Sequence, residues 1–148
     1  MHNKLEFNVP NVFIKVIRKN GEIEEDEVHN GVTEVGIKEV IKMIGGVGTT
    51  HAFTYMQLGT GTTAFSSTQT ALVSEIESTT ATVSLGTTNF SDDTVVLVGT
   101  FGFSTTYAVT ESGVFNASSS GTMLARTTFA VKNVAKGDSI VFTWKINA

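Results

Sequence analysis

The densest chemistry in this chain is acidic. Glu22-Ile23-Glu24-Glu25-Asp26-Glu27 places five carboxylates in six positions. Clustered carboxylates can hold calcium, but a calcium loop alternates its ligands around a glycine turn. On a strand, Glu22, Glu24 and Asp26 face one side and Glu25 and Glu27 the other, which spreads the charge. The expected role is a solvated edge strand that discourages unwanted pairing. The other use is a charged docking face formed by Glu22, Glu24, Glu25, Asp26 and Glu27. No metal site is expected.

Groups that could carry catalysis are sparse. The histidines are His2, His29 and His51, expected at the terminus or in turns. A Ser/His/Asp site has no Gly-x-Ser-x-Gly elbow to sit on. Gly59-Thr60-Gly61-Thr62-Thr63 offers backbone amides of the kind that cradle phosphate. However, no Gly-Lys-Ser/Thr follows, and the next base downstream is Arg126. A tight turn after a strand is expected there, and turn chemistry at Asp92-Asp93. Asn89-Phe90-Ser91 and Asn116-Ala117-Ser118 match a glycosylation pattern, read as chance matches in a chain without a secretion signal. With no Cys, the chain has no disulfide, thiolate zinc site or Cys nucleophile. No catalytic residue or cofactor is assigned, and an enzyme is not expected.

Glu111 is the remaining charge of interest. In a regular strand it shares a face with Val109 and Gly113, while Val114 lies opposite. Exposed, it is an ordinary strand residue. Pointing inward, it needs donors, and Arg126 on a following strand is the nearest base in sequence. Glu111 and Arg126 are therefore a candidate structural pair, of the buried kind that confers specificity more than stability.

The elements that must position these groups follow from composition and periodicity. The chain has 148 residues, 14 Gly, one Pro and a net charge of −4. That length is roughly one domain with a real core. Charged residues are only 16%, while Thr and Ser fill many of the remaining positions. The apolar content argues against disorder. No Lys/Arg run occurs, so nucleic acid is not an expected partner. Neither a leader segment at Met1–Glu6 nor a membrane span is expected, the longest aliphatic run being Val95 to Val98. Production and assembly in a cytoplasm are expected. No basic residue lies between Lys42 and Arg126, so the middle of the chain is charge-poor.

Val12, Ile14 and Val16 alternate with Phe13, Lys15 and Ile17, predicting a strand. Asn20-Gly21 predicts a hairpin turn with two positive-φ residues, a return strand over Glu22–Val28 and a second turn at Asn30-Gly31. Thr33 to Ile44 predicts an amphipathic helix, with Thr33 as N-cap, Gly45-Gly46 as stop and a Glu34–Lys38 pair. Ile37, Val40, Ile41 and Ile44 form its apolar face. Further strands are predicted at Phe53–Leu58, Ala81–Leu85, Thr94–Phe103, Tyr107–Phe115, Met123–Phe129 and Ser139–Ile146. Ser66-Ser67-Thr68 could cap a helical turn across Gln69–Ile76. The expected fold is mainly β: an antiparallel β-sandwich, jelly-roll-like or Ig-like, with one short amphipathic α-helix. Residues 1–148 form a single domain, with 1–31 as an N-terminal strand or hairpin extension and 33–46 as the helix.

Several segments, in order, resemble small structural proteins of tailed bacteriophage virions. They are the helix Val35–Ile44 with its Gly45-Gly46 stop, then Met56-Gln57-Leu58-Gly59-Thr60-Gly61-Thr62-Thr63-Ala64 with Ser66 to Ile76, then Thr110-Glu111-Ser112-Gly113-Val114-Phe115-Asn116-Ala117, then Gly121-Thr122-Met123-Leu124-Ala125-Arg126-Thr127-Thr128-Phe129, and last Lys136 to Ile146. The resemblance spans Val32 to Ala148 and implies a non-enzymatic β-rich virion subunit of the tail, neck or fibre type. A capsid head-decoration protein is the alternative within that class. The implied partners are copies of itself, as a trimer or larger oligomer, and capsid, neck or tail subunits. The implied location is the virion, assembled in the host cytoplasm. A carbohydrate-binding sandwich that contacts a host-surface glycan is the rival, with Tyr55 and Tyr107 as the candidate stacking aromatics, since Trp144 shares the core-type strand face of Ile140, Phe142 and Ile146.

Overall fold

A computed structural model describes residues 7–147. His2 and the segment read for a leader lie outside the described residues. The elements run β1 (Asn8–Ile17), β2 (Ile23–Val32), α1 (Glu34–Gly45), β3 (Tyr55–Gly59), β4 (Glu75–Thr80), β5 (Thr82–Gly86), β6 (Thr94–Gly102), β7 (Tyr107–Phe115), β8 (Met123–Val134) and β9 (Ser139–Asn147). The first sheet has the order β2-β1-β9-β6-β5 and the second β4-β3-β7-β8-β2. Every paired strand is antiparallel. The chain is thus mainly β, a sandwich of two five-stranded sheets with one short helix, as its alternating pattern predicts.

One strand belongs to both sheets. From Ile23 to Asn30, β2 pairs with β1, and at Gly31 and Val32 it pairs with Arg126 and Ala125 of β8. The predicted turn at Asn30-Gly31 is therefore absent, and the strand runs straight on. Gly31 has a different use: a Cβ there would lie 2.3 Å from the ring of Phe65. The glycine admits an aromatic ring rather than a reversal. The first hairpin is likewise no extension of the domain. β1 lies between β2 and β9, and its Val12, Ile14 and Val16 are fully buried.

The hairpin loop differs from the predicted two-residue turn. Ile17 pairs with Ile23, leaving Arg18–Glu22 as the loop. Gly21 N–H donates to the Arg18 carbonyl, and of the central residues only Gly21 has a positive φ, at 91°. That is a type I turn closed by a glycine bulge. Asn20 contributes its side chain instead, which accepts from Glu22 N–H at 3.0 Å.

The core lies between the sheets. Val12, Ile14, Leu97, Phe101, Ile140, Phe142 and Trp144 of the first sheet meet Met56, Leu58, Val109, Val114 and Ala125 of the second. Phe101 and Phe142 stack edge-to-face at 5.9 Å, a favoured aromatic geometry. A register shift between Val109 and Glu111 marks a bulge whose extra residues lie in β8, where Phe129, Ala130 and Val131 stand against Thr110 alone. Val109 turns inward there with Val114, away from the face of Glu111 on which regular alternation places it.

The helix forms as predicted but packs rotated from the predicted face, of which Val40 alone rests on the core. Thr33 caps it by accepting from Gly36 N–H at 3.0 Å, and Gly46 closes it with φ 61°. Yet its buried residues are Gly36 and Glu39, while Ile41 and Ile44 are 61% and 71% exposed. The cause is close approach. A Cβ at Gly36 would lie 2.6 Å from the Leu124 Cα, so the missing side chain lets α1 rest directly on the β8 backbone. Glu34 pairs with the loop at Ser67 rather than with Lys38, and Lys42 reaches Glu39 at 3.8 Å.

This packing separates two effects of one substitution. Helix propensity alone makes Gly36→Ala stabilising by about 1 kcal/mol. Contact with β8 makes it destabilising by about 1–3 kcal/mol through overpacking. Urea unfolding of Gly36→Ala is expected to show a net loss of stability, and a gain would contradict the packing.

Candidate functional site

Glu111 and Arg126 come together, as the pair reading requires, but not inside the sandwich. Both point to the outer face of the second sheet, beside Gly113, which pairs with Arg126. They are nonetheless fully buried, because the segment from Thr60 to Ser74 crosses over them. Arg126 Nε donates to Glu111 Oε1 at 3.3 Å. The same carboxylate accepts Val73 N–H at 2.8 Å and Ser74 N–H at 3.1 Å. The other guanidinium nitrogens donate to Gln69 Oε1 at 3.1 Å and to the Thr63 carbonyl at 2.8 Å. Thr110 Oγ1 adds a bond to the Gly61 carbonyl at 2.7 Å. A segment with no regular structure is thereby held as a strap across the sheet.

The strap explains the glycine motif. A Cβ at Gly61 would lie 1.8 Å from Glu111 Oε2, and one at Gly59 would lie 2.3 Å from the Ser74 carbonyl oxygen. Both glycines therefore serve backbone approach to the ion pair. The predicted helical turn across Gln69–Ile76 is replaced for the same reason. Val73 and Ser74 give their N–H groups to Glu111, and Ile76 already belongs to β4. Leu72 completes the layer by packing on Phe115 and Met123.

The acidic hairpin is spread as the strand pattern implies. Glu22, Glu24, Glu25 and Glu27 are exposed, and Asp26 is half-buried. Three of the five are matched by the chain's own donors. Arg18 reaches Glu24 at 3.1 Å, Lys132 reaches Asp26 at 2.9 Å, and the Asn11 amide reaches Glu27. The Lys132 ammonium lowers the pKa of Asp26. Among the described residues, no three His, Asp or Glu side chains are grouped so as to hold one metal ion. His29 and His51 are both exposed.

The aromatics weighed for sugar stacking are engaged elsewhere. Trp144 is fully buried in the core, Tyr107 packs against Phe103 at 6.3 Å, and Tyr55 packs against the Leu72 cluster. No Trp or Tyr is exposed among the described residues.

A feature absent from the sequence reading lies at one end of the sandwich. An apolar groove of about 530 Å³ opens between Val40, Met43 and Ile44 of α1, Phe53, and Val95, Leu97 and Ile146 of the first sheet. Its signal in the sequence is Gly36. A glycine on one side of an amphipathic helix marks the side that packs closely, which leaves the isoleucine stripe outward. Asp93 stands at the groove and is committed to its own turn. It accepts N–H groups from Thr88, Asn89 and Phe90 and the Thr94 hydroxyl. Desolvation raises its pKa, but these donors outweigh that and bring it down to about 2.

Two outcomes follow. In a double-mutant cycle, Glu111→Ala and Arg126→Ala are each expected to cost about 3–5 kcal/mol, because either leaves a buried charge unpaired. Their losses are expected to be non-additive by more than about 1 kcal/mol, and additive losses in urea unfolding would contradict the strap. Asp93 titrates lower when folded than its ordinary 3.8. Its contribution is therefore complete above that value and lost as pH falls towards 2. Unfolding midpoints are expected to drop between about pH 4 and pH 2, less steeply in Asp93→Asn.

No protein family, curated protein or solved structure was found to match the chain.

Proposed function

We propose that the chain is a non-enzymatic structural subunit of a bacteriophage virion, of the tail, neck or fibre type, which assembles through contacts with copies of itself and with other virion proteins. One observation carries this reading. Three of the segments that resemble phage structural proteins are distant in sequence, yet they meet at one place. Gly59-Thr60-Gly61, Thr110-Glu111-Ser112-Gly113 and Thr122 to Arg126 are joined through the Glu111–Arg126 pair and the Thr110–Gly61 bond. Weak turn and strand patterns scattered by chance have no reason to converge on one buried ion pair. Their convergence supports reading the resemblance as one to a structural unit.

The surface supports an assembling role. Ile37, Ile41, Ile44 and Val47 are exposed along α1 and beyond it, beside the apolar groove. Contiguous apolar surface of this kind marks interaction sites. The charge-poor body beyond Lys42 suits interface cores, where charged groups are depleted. On the acidic hairpin, Glu22 and Glu25 are exposed and available to a basic neighbour.

Two measurements test the proposal. At micromolar concentration, light scattering is expected to give the mass of a trimer or larger closed oligomer, and a monomer would contradict assembly. Antibody against the chain is expected to label phage-like particles released by the cell that encodes it. Recovery wholly outside purified particles would contradict the virion role.

A further inference from the structure

The two outer strands of the sandwich are treated very differently. β4 carries Glu75 and Glu77, and the pKa of Glu77 is raised by desolvation and by the neighbouring Glu75. Such like charges keep one β4 edge from pairing with another. β5, which follows directly after Ala81, carries nothing comparable. From Ser78 to Ser91 the chain has no Asp, Glu, Lys, Arg or Pro. β5 pairs with β6 on one side, and among the described residues no strand pairs with its other side. Thr82, Val83, Ser84 and Leu85 are all exposed.

The side chains of β5 carry a second signal. Val83 pairs with Leu97, and Leu85 with Val95. Directly paired residues share a sheet face, so Val83 and Leu85 lie on the core-facing side. They remain 45% and 62% exposed there. Their partners Val95 and Leu97 line the apolar groove. The edge thus offers an unfilled row of backbone groups and an unfilled apolar face at the same place.

We infer that the free edge of β5 pairs antiparallel with β5 of a second copy of this chain, about a two-fold axis near Ser84. The second copy is the occupant because the contact is neutral against neutral. A strand without charges meets no repulsion from itself, whereas the same edge offers no charge to a charged partner. An antiparallel pair of identical strands is also closed by its own symmetry, so both edges are satisfied at once. Centred on Ser84, the pairing sets Val83 of each copy opposite Leu85 of the other. It joins the two five-stranded sheets into one of ten strands and closes the apolar face beside the groove. The inference rests on the assembly reading above and specifies its contact. A two-fold contact combined with a different second contact builds closed oligomers with an even number of copies.

Charge-swapped variants test it. One variant carries Val83→Lys and Leu85→Lys, another Val83→Glu and Leu85→Glu. Both positions are exposed, so the fold is expected to persist, as circular dichroism would verify. Sedimentation velocity on the full chain is expected to give an even-numbered wild-type species and half that mass or less for each variant alone. Mixing the two variants in equal amounts is expected to restore the wild-type mass, because Lys then faces Glu across the axis. A wild-type oligomer that survives both variants overturns the β5 contact while leaving assembly intact, and so does an odd-numbered one. Loss of mass in the Glu variant with retention in the Lys variant also overturns it, and points to β5 docking on the acidic β4 edge. A monomeric wild type overturns both the contact and the assembly reading.

Discussion

Two opposite charges are buried where a sheet normally faces water, and the second sheet is arranged around them. Glu111 and Arg126 gain little from each other unless their remaining donor and acceptor positions are filled. The strap fills them. Val73, Ser74, Thr63 and Gln69 supply the missing partners, so the segment from Thr60 to Ser74 is fixed without a helix or strand of its own. Gly59 and Gly61 permit the approach, the bulge of β8 against β7 accompanies the turn of Val109 to the core, and Leu72 seals the small outer layer. Removing either charge would leave the other stranded beneath a segment that has little else to hold it.

The same strap reaches the helix. Ser67 accepts the Glu34 N–H through its carbonyl at 2.9 Å and approaches the Glu34 carboxylate through its hydroxyl. Thr33 N–H donates to the Leu124 carbonyl at 2.8 Å. The start of α1 is therefore fixed from the strap on one side and from β8 on the other. With Gly36 against the β8 backbone, the helix has only one orientation in which to settle. Its isoleucines are then left outward, next to the groove. The position of the apolar surface follows from the ion pair and one glycine.

Much of this was legible in the sequence where the signal is local. Tyr107–Phe115 is the predicted strand to the residue, and Thr33 and Gly46 end the helix where caps belong. Period-two alternation exposed the core of β9 because Ile140, Phe142, Trp144 and Ile146 face a single layer. What failed was non-local. Asn30-Gly31 looks like a turn, but Phe65, more than thirty positions away, takes the space over the glycine. The apolar stripe of α1 looks like the buried face, but Gly36 and the β8 backbone decide otherwise. Glu111 could be paired with Arg126 from sequence, yet burial on an outer face needs a cover, and Thr60 to Ser74 has no periodicity that announces one. Each miss is a case of tertiary contact overriding a sound local preference.

Amide hydrogen exchange at Val73 and Ser74 tests the strap most directly. Both residues are exposed in their side chains, so their protection depends on the Glu111 carboxylate. If the carboxylate holds the strap, these two amides exchange as slowly as those of β7, and much more slowly than the amides of Thr62 and Ser67 in the same segment. If all four exchange at one fast rate, the strap is not held by the buried pair and the account fails.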